Sequence, residues 1–248
     1  MPASSDSSGM PHTLAHTLQH WRHETLHPDV HLIVNESEPV LTPDVEQRVQ
    51  AIWDDACASR PRLFNGRIFC METITPERIQ GYWTEYRRAL AQMADPTIFG
   101  DTPLHQLAVC GLLRCAEGIV LGRRNPSSLY LGGFWQSPPA GTVEMRGDGL
   151  SLSLTEQILA EAEEELGLTQ HDVSVGSPRL AVTHSRTAIV DIGIPLMTPL
   201  SFTSVREKWL SRANKEYDQL AVISDDQIGN WRLRNDVVPT TGILLNTT

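Results

Sequence analysis

A long, largely apolar run spans residues 105–121, with a turn signal at Ala116-Glu117-Gly118. Such a run, too short for a membrane span and interrupted by a Gly turn, predicts one or two buried strands. Shorter runs at 30–34, 67–74, 178–184, 187–196 and 219–224 also predict strands, with 131–136 adding a short extended piece. Helical spacing of apolar residues predicts helices at 44–58, 83–93, 154–166, 203–213 and 237–246, and one at 13–27. Thr42 or Asp44 can cap the second of these in chain order, and Asp95-Pro96 ends the third. Trp83, Tyr86 and Leu90 mark the apolar face of that third helix. Thr75-Pro76-Glu77-Arg78 and Arg123-Arg124-Asn125-Pro126 read as turns. Strands and helices alternate, with hairpin-like neighbours ahead of residue 139. The fold class is therefore α/β (α+β), a mixed sheet between helices. No internal repeat is visible.

Residues 139–168, PAGTVEMRGDGLSLSLTEQILAEAEEELGL, carry the candidate chemistry. A Pro-Ala-Gly turn and an extended piece ending in Glu144 lead through a Gly-rich loop into a helix. Glu161, Glu164 and Glu165 fall at i, i+3, i+4, which stacks three carboxylates on one face. Their repulsion is relieved by a divalent cation, and hard oxygen ligands suit Mg²⁺ or Mn²⁺. An acidic helix face is more often simply solvated. Here Leu154, Ile158, Ala162 and Leu166 give the helix an apolar side, Gly167 stops it, and Gly141 with the loop 145–149 lets a substrate approach the backbone.

The run Ala160–Leu168 resembles the second half of the Nudix signature, G-x5-E-x7-R-E-U-x-E-E-x-G-U, and Pro139–Glu144 resembles the P-G-G-x-V-E that opens it. The signature arginine is Ala160 here, so another cation or a hydrogen bond must orient the glutamates. Counting from Gly141 leaves about five residues too many before the helix; the middle glutamate falls on Gly147, or on Leu152 counting back, with Asp148 the nearest acid. From about residue 49 onward, Ile52-Trp53, Leu63-Phe64-Asn65, Tyr86-Arg87, Gly100-Asp101-Thr102 and the run closing on Arg123-Arg124 are similar in order to the Nudix UDP-glucose diphosphatases. The resemblance implies a Nudix-like α/β/α sandwich with an N-terminal extension. It divides the chain into 1–43 (tail and extension), 44–104 (an α/β region) and 105–248 (the hydrolase domain). It also implies Mg²⁺-dependent hydrolysis of a UDP-sugar to UMP and a sugar 1-phosphate. Glu161, Glu164 and Glu165 would hold metal, one of them or Glu216 would act as base, and Arg123, Arg124, Gly141, Glu144 and Arg186 would bind substrate. Another Nudix substrate (ADP-ribose, another nucleotide sugar, a CoA derivative) or a regulator that binds nucleotide without turnover are the alternatives.

Net charge is −10, which argues against a nucleic-acid or anionic-membrane partner and leaves a small nucleoside diphosphate as the expected ligand, with a homodimer open. Hydrophobic residues make up 40%, enough for a core. No secretory signal is visible, and Cys57, Cys70, Cys110 and Cys115 lack metal spacing, so the cytoplasm is the expected compartment.

Other motifs compete. His23-Glu24-Thr25-Leu26-His27 matches H-E-x-x-H, but Pro28 biases His27 away from helix and no third ligand follows at a known spacing. His12, His16, His20, His23, His27 and His31 recur at near-helical steps. Phe134 and Trp135 could stack on a base but are more often packing. Glu216 and Asp218 lie ahead of a strand, and His184, Arg186 and Thr187 at a strand junction, where either could line a pocket or face solvent.

Overall fold

The computed structural model describes residues 21–212 and 216–247. Histidines 12, 16 and 20 lie outside them. In chain order the strands are β1 (Arg22–Thr25), β2 (His31–Val34), β3 (Arg67–Thr75), β4 (Arg78–Glu85), β5 (His105–Cys115), β6 (Gly118–Arg124), β7 (Trp135–Gln136), β8 (Ala140–Thr142), β9 (Ser174–Val175), β10 (Leu180–Thr183), β11 (Val190–Met197) and β12 (Tyr217–Ile223). The helices are α1 (Pro43–Ser59), α2 (Tyr86–Ala94), α3 (Leu154–Leu166), α4 (Phe202–Leu210), α5 (Ile228–Arg232) and α6 (Pro239–Leu244).

The strands join in one mixed sheet whose main path is β1-β10-β11-β5-β3-β4-β2, with β6 to β9 and β12 attached off it. The pairs β11–β5 and β2–β4 are parallel. Because side chains alternate along a strand, β5 sorts its residues between two cores. Leu107, Val109 and Leu113 pack with Ile158, Ala162 and Leu166 of α3 and Val205 of α4. Cys110 and Leu112 pack on the opposite face with Leu244, Val237 and Leu180. Helices thus cover both faces, as the alternation of elements predicts.

Three expectations are corrected. The helix over 13–27 does not extend into 21–27: Arg22–Thr25 pairs antiparallel with β10, so His23-Glu24-Thr25-Leu26-His27 runs through a strand and a turn. Two ligands of a zinc helix cannot arise there. The helix begun at residue 83 starts at Tyr86 instead; Trp83 belongs to β4, paired with Phe69. Its apolar side chain fits a half-buried strand as well as a helix, so spacing alone misassigned it. Finally, Arg123 and Arg124 end β6 rather than forming a turn.

The helix α3 starts and stops as its sequence dictates. Ser153 accepts a hydrogen bond from the Glu156 amide, a capping contact. Gly167 adopts a left-handed φ of 70°, while its own N–H and that of Leu168 bond back to Glu163 and Ala162.

Candidate active site

The short strand β8 pairs with β5 through Ala108, Val109 and Cys110, and α3 crosses beside it. A cavity of about 420 Å³ opens here. Glu144, Glu161, Glu164, Glu165 and Glu216 line it, together with Arg124 and Arg146.

Glu165 is buried. It accepts hydrogen bonds from the Ala140 amide (3.0 Å) and the Tyr217 hydroxyl (3.1 Å). Burial, then the nearby Glu161 and Glu216 charges, push its pKa well above the carboxylate range; the two hydrogen bonds pull the other way. Glu161 is raised to about 7, chiefly by burial and further by Glu164 and Glu144, against the opposing pull of Gln157 and Arg146. The bare Cα of Gly141 explains how Glu161 fits. A Cβ on Gly141 would lie 2.2–2.5 Å from the Glu161 carboxylate atoms. Any side chain at this position would push the carboxylate out of the place it holds against β8.

Gln157 supplies the orienting contact that Ala160 cannot. Its Nε2 donates to Glu161 Oε1 at 2.6 Å, and its Oε1 accepts from the Glu144 amide (3.2 Å) and Arg146 Nε (3.4 Å). Arg124 is held as firmly on the other side. Its guanidinium meets the Tyr130 carbonyl (3.0 Å), Gln136 Oε1 (2.5 Å) and the Glu216 carboxylate (2.9 Å).

Of the residues singled out from sequence, the fold brings Glu161, Glu164, Glu165, Glu216, Arg124, Gly141 and Glu144 around one cavity. Arg123 lies apart: Asp218 grips it with two bonds of 2.8 and 2.9 Å on the outer side of β6. Arg186 is exposed and does not line the cavity. Trp135 packs edge-on against Trp231 at 5.2 Å, a core contact.

The three helix glutamates share a side of α3 but not a ready-made ligand point. Among the described residues no three His, Cys, Asp or Glu side chains form a group that could hold a metal ion. Glu161 and Glu165 are tied to protein donors, and Glu164 is exposed. The chemistry of the donors nevertheless fits a hard divalent cation. Two carboxylates, Glu165 buried and Glu161 partly so, face a polar cavity with pKa values raised by burial.

On the far wall, sequence reasoning named His184 but missed Asp191 and Thr240, which line the cavity with it. His184 Nε2 lies 2.6 Å from Asp191 Oδ2, which also accepts from the Thr240 hydroxyl at 2.6 Å. The His184 ring stacks, tilted, between Trp21 (4.1 Å) and Tyr130 (5.6 Å). Burial opposes ionisation of Asp191, yet His184, Thr240 and Arg124 together hold its pKa below the usual value. Asp191 sits in an apolar strand pattern, and nothing in its local sequence sets it apart.

No protein-family model matches the chain, and no curated protein does. Among solved structures, it is similar to the MutT protein of Methanosarcina mazei Go1: 20% identity over 58% of this chain and 91% of that one, TM-score 0.42. It is also similar to a NUDIX-family hydrolase of Clostridium perfringens (15%, over 58% and 94%, TM-score 0.41) and to an ADP-ribose pyrophosphatase of Streptococcus suis (15%, over 56% and 88%, TM-score 0.33). Likenesses this distant assign no activity, which the site's own residues have to do. No helix among the described residues is long and apolar enough to cross a membrane.

Proposed function

We propose that the chain is a Nudix-type hydrolase, an enzyme that cleaves a nucleoside diphosphate derivative, with a UDP-sugar such as UDP-glucose as the expected substrate and UMP and sugar 1-phosphate as products. The observation that carries this reading is the contact of Glu161 with the bare Cα of Gly141. It presses a desolvated carboxylate into the cavity beside β8, next to Glu165 and Glu164, and no structural role requires that arrangement.

Glu161, Glu164 and Glu165 would hold Mg²⁺ or Mn²⁺. The metal, when bound, neutralises diphosphate charge and lowers the pKa of a water molecule. The chain's own residues do the rest. Arg124, fixed by three partners, presents positive charge to the diphosphate without having to reorganise. Gln157 orients Glu161. Glu164, exposed at the cavity's margin, takes the proton of the attacking water as general base. Glu216 is tied to Arg124 and serves to position it.

Sugar-phosphate release from a panel of nucleoside diphosphate derivatives, with Mg²⁺ or Mn²⁺, tests the reading. Turnover of UDP-glucose well above the rest supports it, and turnover of another member moves the substrate but keeps the chemistry. Glu164→Gln and Glu165→Gln should each abolish turnover while the circular dichroism spectrum is unchanged. Wild-type activity in both variants would overturn the metal assignment.

A further inference from the structure

On the cavity face of the sheet, Thr142, Ala108 and Asp191 lie side by side across β8, β5 and β11. Gln106 is two residues from Ala108 on the same strand and so shares that face. All four line the cavity. Gln106 is 5% exposed. Its Nε2 donates to the Thr142 hydroxyl at 2.5 Å, which fixes the carboxamide. Its Oε1 is buried and has no hydrogen-bond partner.

A buried amide oxygen without a partner is costly for the folded chain and uncommon in native structures. In a wall of a ligand cavity, the missing partner is naturally part of the ligand. We infer that Gln106 is a specificity-determining residue, whose Oε1 accepts a hydrogen bond from an O–H or N–H donor on the organic moiety flanking the diphosphate. The inference rests on the proposed function for the class of ligand, while the partnerless Gln106 oxygen stands independently of it.

The surroundings restrict the donor's chemistry further. Glu144, Glu161 and Asp191 line the same cavity, so this wall offers acceptors and repels a further phosphate. Of the two arginines that line the cavity, Arg146 is engaged by Gln157, and Arg124 is the one assigned to the diphosphate in the proposed reading. Small Ala108 between Thr142 and Asp191 leaves space over the floor. The ligand group that fits is neutral and donor-rich, such as the hydroxyls of a sugar or the imide N–H of a pyrimidine base.

The experiment compares wild type with Gln106→Met, which keeps the volume but cannot accept the bond, and with Thr142→Val, which frees the carboxamide to turn. The substrates are UDP-glucose, the methyl ester of UDP (no glucose hydroxyls, ribose retained) and the N3-methyluridine analogue of UDP-glucose (no imide N–H). For the Met variant we expect KM for UDP-glucose to rise about tenfold with kcat changed less than threefold, and a smaller rise for the Val variant. A penalty lost with the methyl ester identifies the glucose as donor; one lost with the N3-methyl compound identifies the base; one kept on all three identifies the ribose. Each supports the inference. A KM shift under twofold on all three substrates, in a Gln106→Met protein that melts with a wild-type transition, overturns it. If wild type turns over none of them, the hydrolase reading has failed on its own account, and Kd from calorimetry for the same compounds replaces KM. An unchanged Kd in Gln106→Met then overturns the inference, and a tenfold weaker one supports it.

Discussion

Gln157 Nε2 donates to Glu161 Oε1 across one turn of α3, at 2.6 Å. The same carboxamide accepts the Glu144 amide and Arg146 Nε, so one buried side chain ties the helix to the strand end and the loop that precede it. Where the Nudix pattern has an arginine, this chain has Ala160, and the orienting contact comes instead from the residue one turn before Glu161.

If Glu161 holds metal as proposed, Gln157→Leu should lower kcat by about 10–100-fold, the usual effect of removing a partner that orients a metal ligand. It also strands the Glu144 amide, so a loss of about 2 kcal/mol in stability is expected. Steady-state kinetics and urea melts on the same preparation check both. A variant that loses stability but keeps wild-type kcat would show that Gln157 is merely structural.

Gly141→Ala isolates the close approach of β8 to α3. The backbone at Gly141 does not need a positive φ, so conformational strain is not at issue. What the added methyl meets is the Glu161 carboxylate, within 2.5 Å. Displacing Glu161 should reduce turnover at least ~10-fold and cost about 1–3 kcal/mol by overpacking. Full activity in this variant would remove the observation on which the hydrolase reading rests.

The sequence made some of this legible and hid the rest for physical reasons. The helix α3 was readable because its apolar period, its Ser153 cap and its Gly167 stop all agree. The glutamates were readable because their spacing depends on local geometry alone. Trp83 was misassigned because one apolar residue in three or four fits either period, and its strand exists through pairing with Phe69, which is distant in sequence. Gln106, Asp191 and Thr240 were invisible for the same reason. They meet only because β11 lies parallel beside β5 and α6 folds back over them. Arg123 and Arg124 look alike in sequence, yet alternation along β6 sends one to Asp218 outside and the other into the cavity.

The buried glutamates set the stability profile above mild acid. Both Glu161 and Glu165 have folded pKa values raised above the ordinary 4.5 by burial, to about 7 for Glu161 and well upward for Glu165. Between the unfolded and folded values the native chain binds more protons, so stability falls as pH rises through that window. In EDTA, Tm should drop from about pH 5 to pH 8, and Mg²⁺ should restore it by binding only the folded form. Glu165→Gln keeps an acceptor for Ala140 and Tyr217 but carries no charge. It should flatten the profile and raise Tm at pH 8; a gain on the order of 1 kcal/mol corresponds to about 2–4 °C. A variant less stable than wild type at pH 8 in EDTA would contradict the assignment of that strain to Glu165.

Asp191 acts in the opposite sense. Its folded pKa lies below the ordinary value, so its contribution is present above an unfolded pKa of about 3.9 and is lost as pH falls through the lower, folded one. Acid unfolding below about pH 4 should therefore steepen with Asp191 in place and soften in Asp191→Asn, which leaves an oxygen for the Thr240 hydroxyl. Asp191→Ala removes that oxygen and leaves both Thr240 and His184 Nε2 without it, at a cost of about 3 kcal/mol at neutral pH. Because His184 stacks on Trp21 and Tyr130, the Ala variant should also shift tryptophan fluorescence before any unfolding. Urea melts at pH 3, 5 and 7 separate the cases. The Asn variant should differ most from wild type in the slope between pH 5 and 3. The Ala variant should differ at every pH, and equal losses in both variants at pH 7 would mean that charge, not the hydrogen bonds, is what Asp191 supplies.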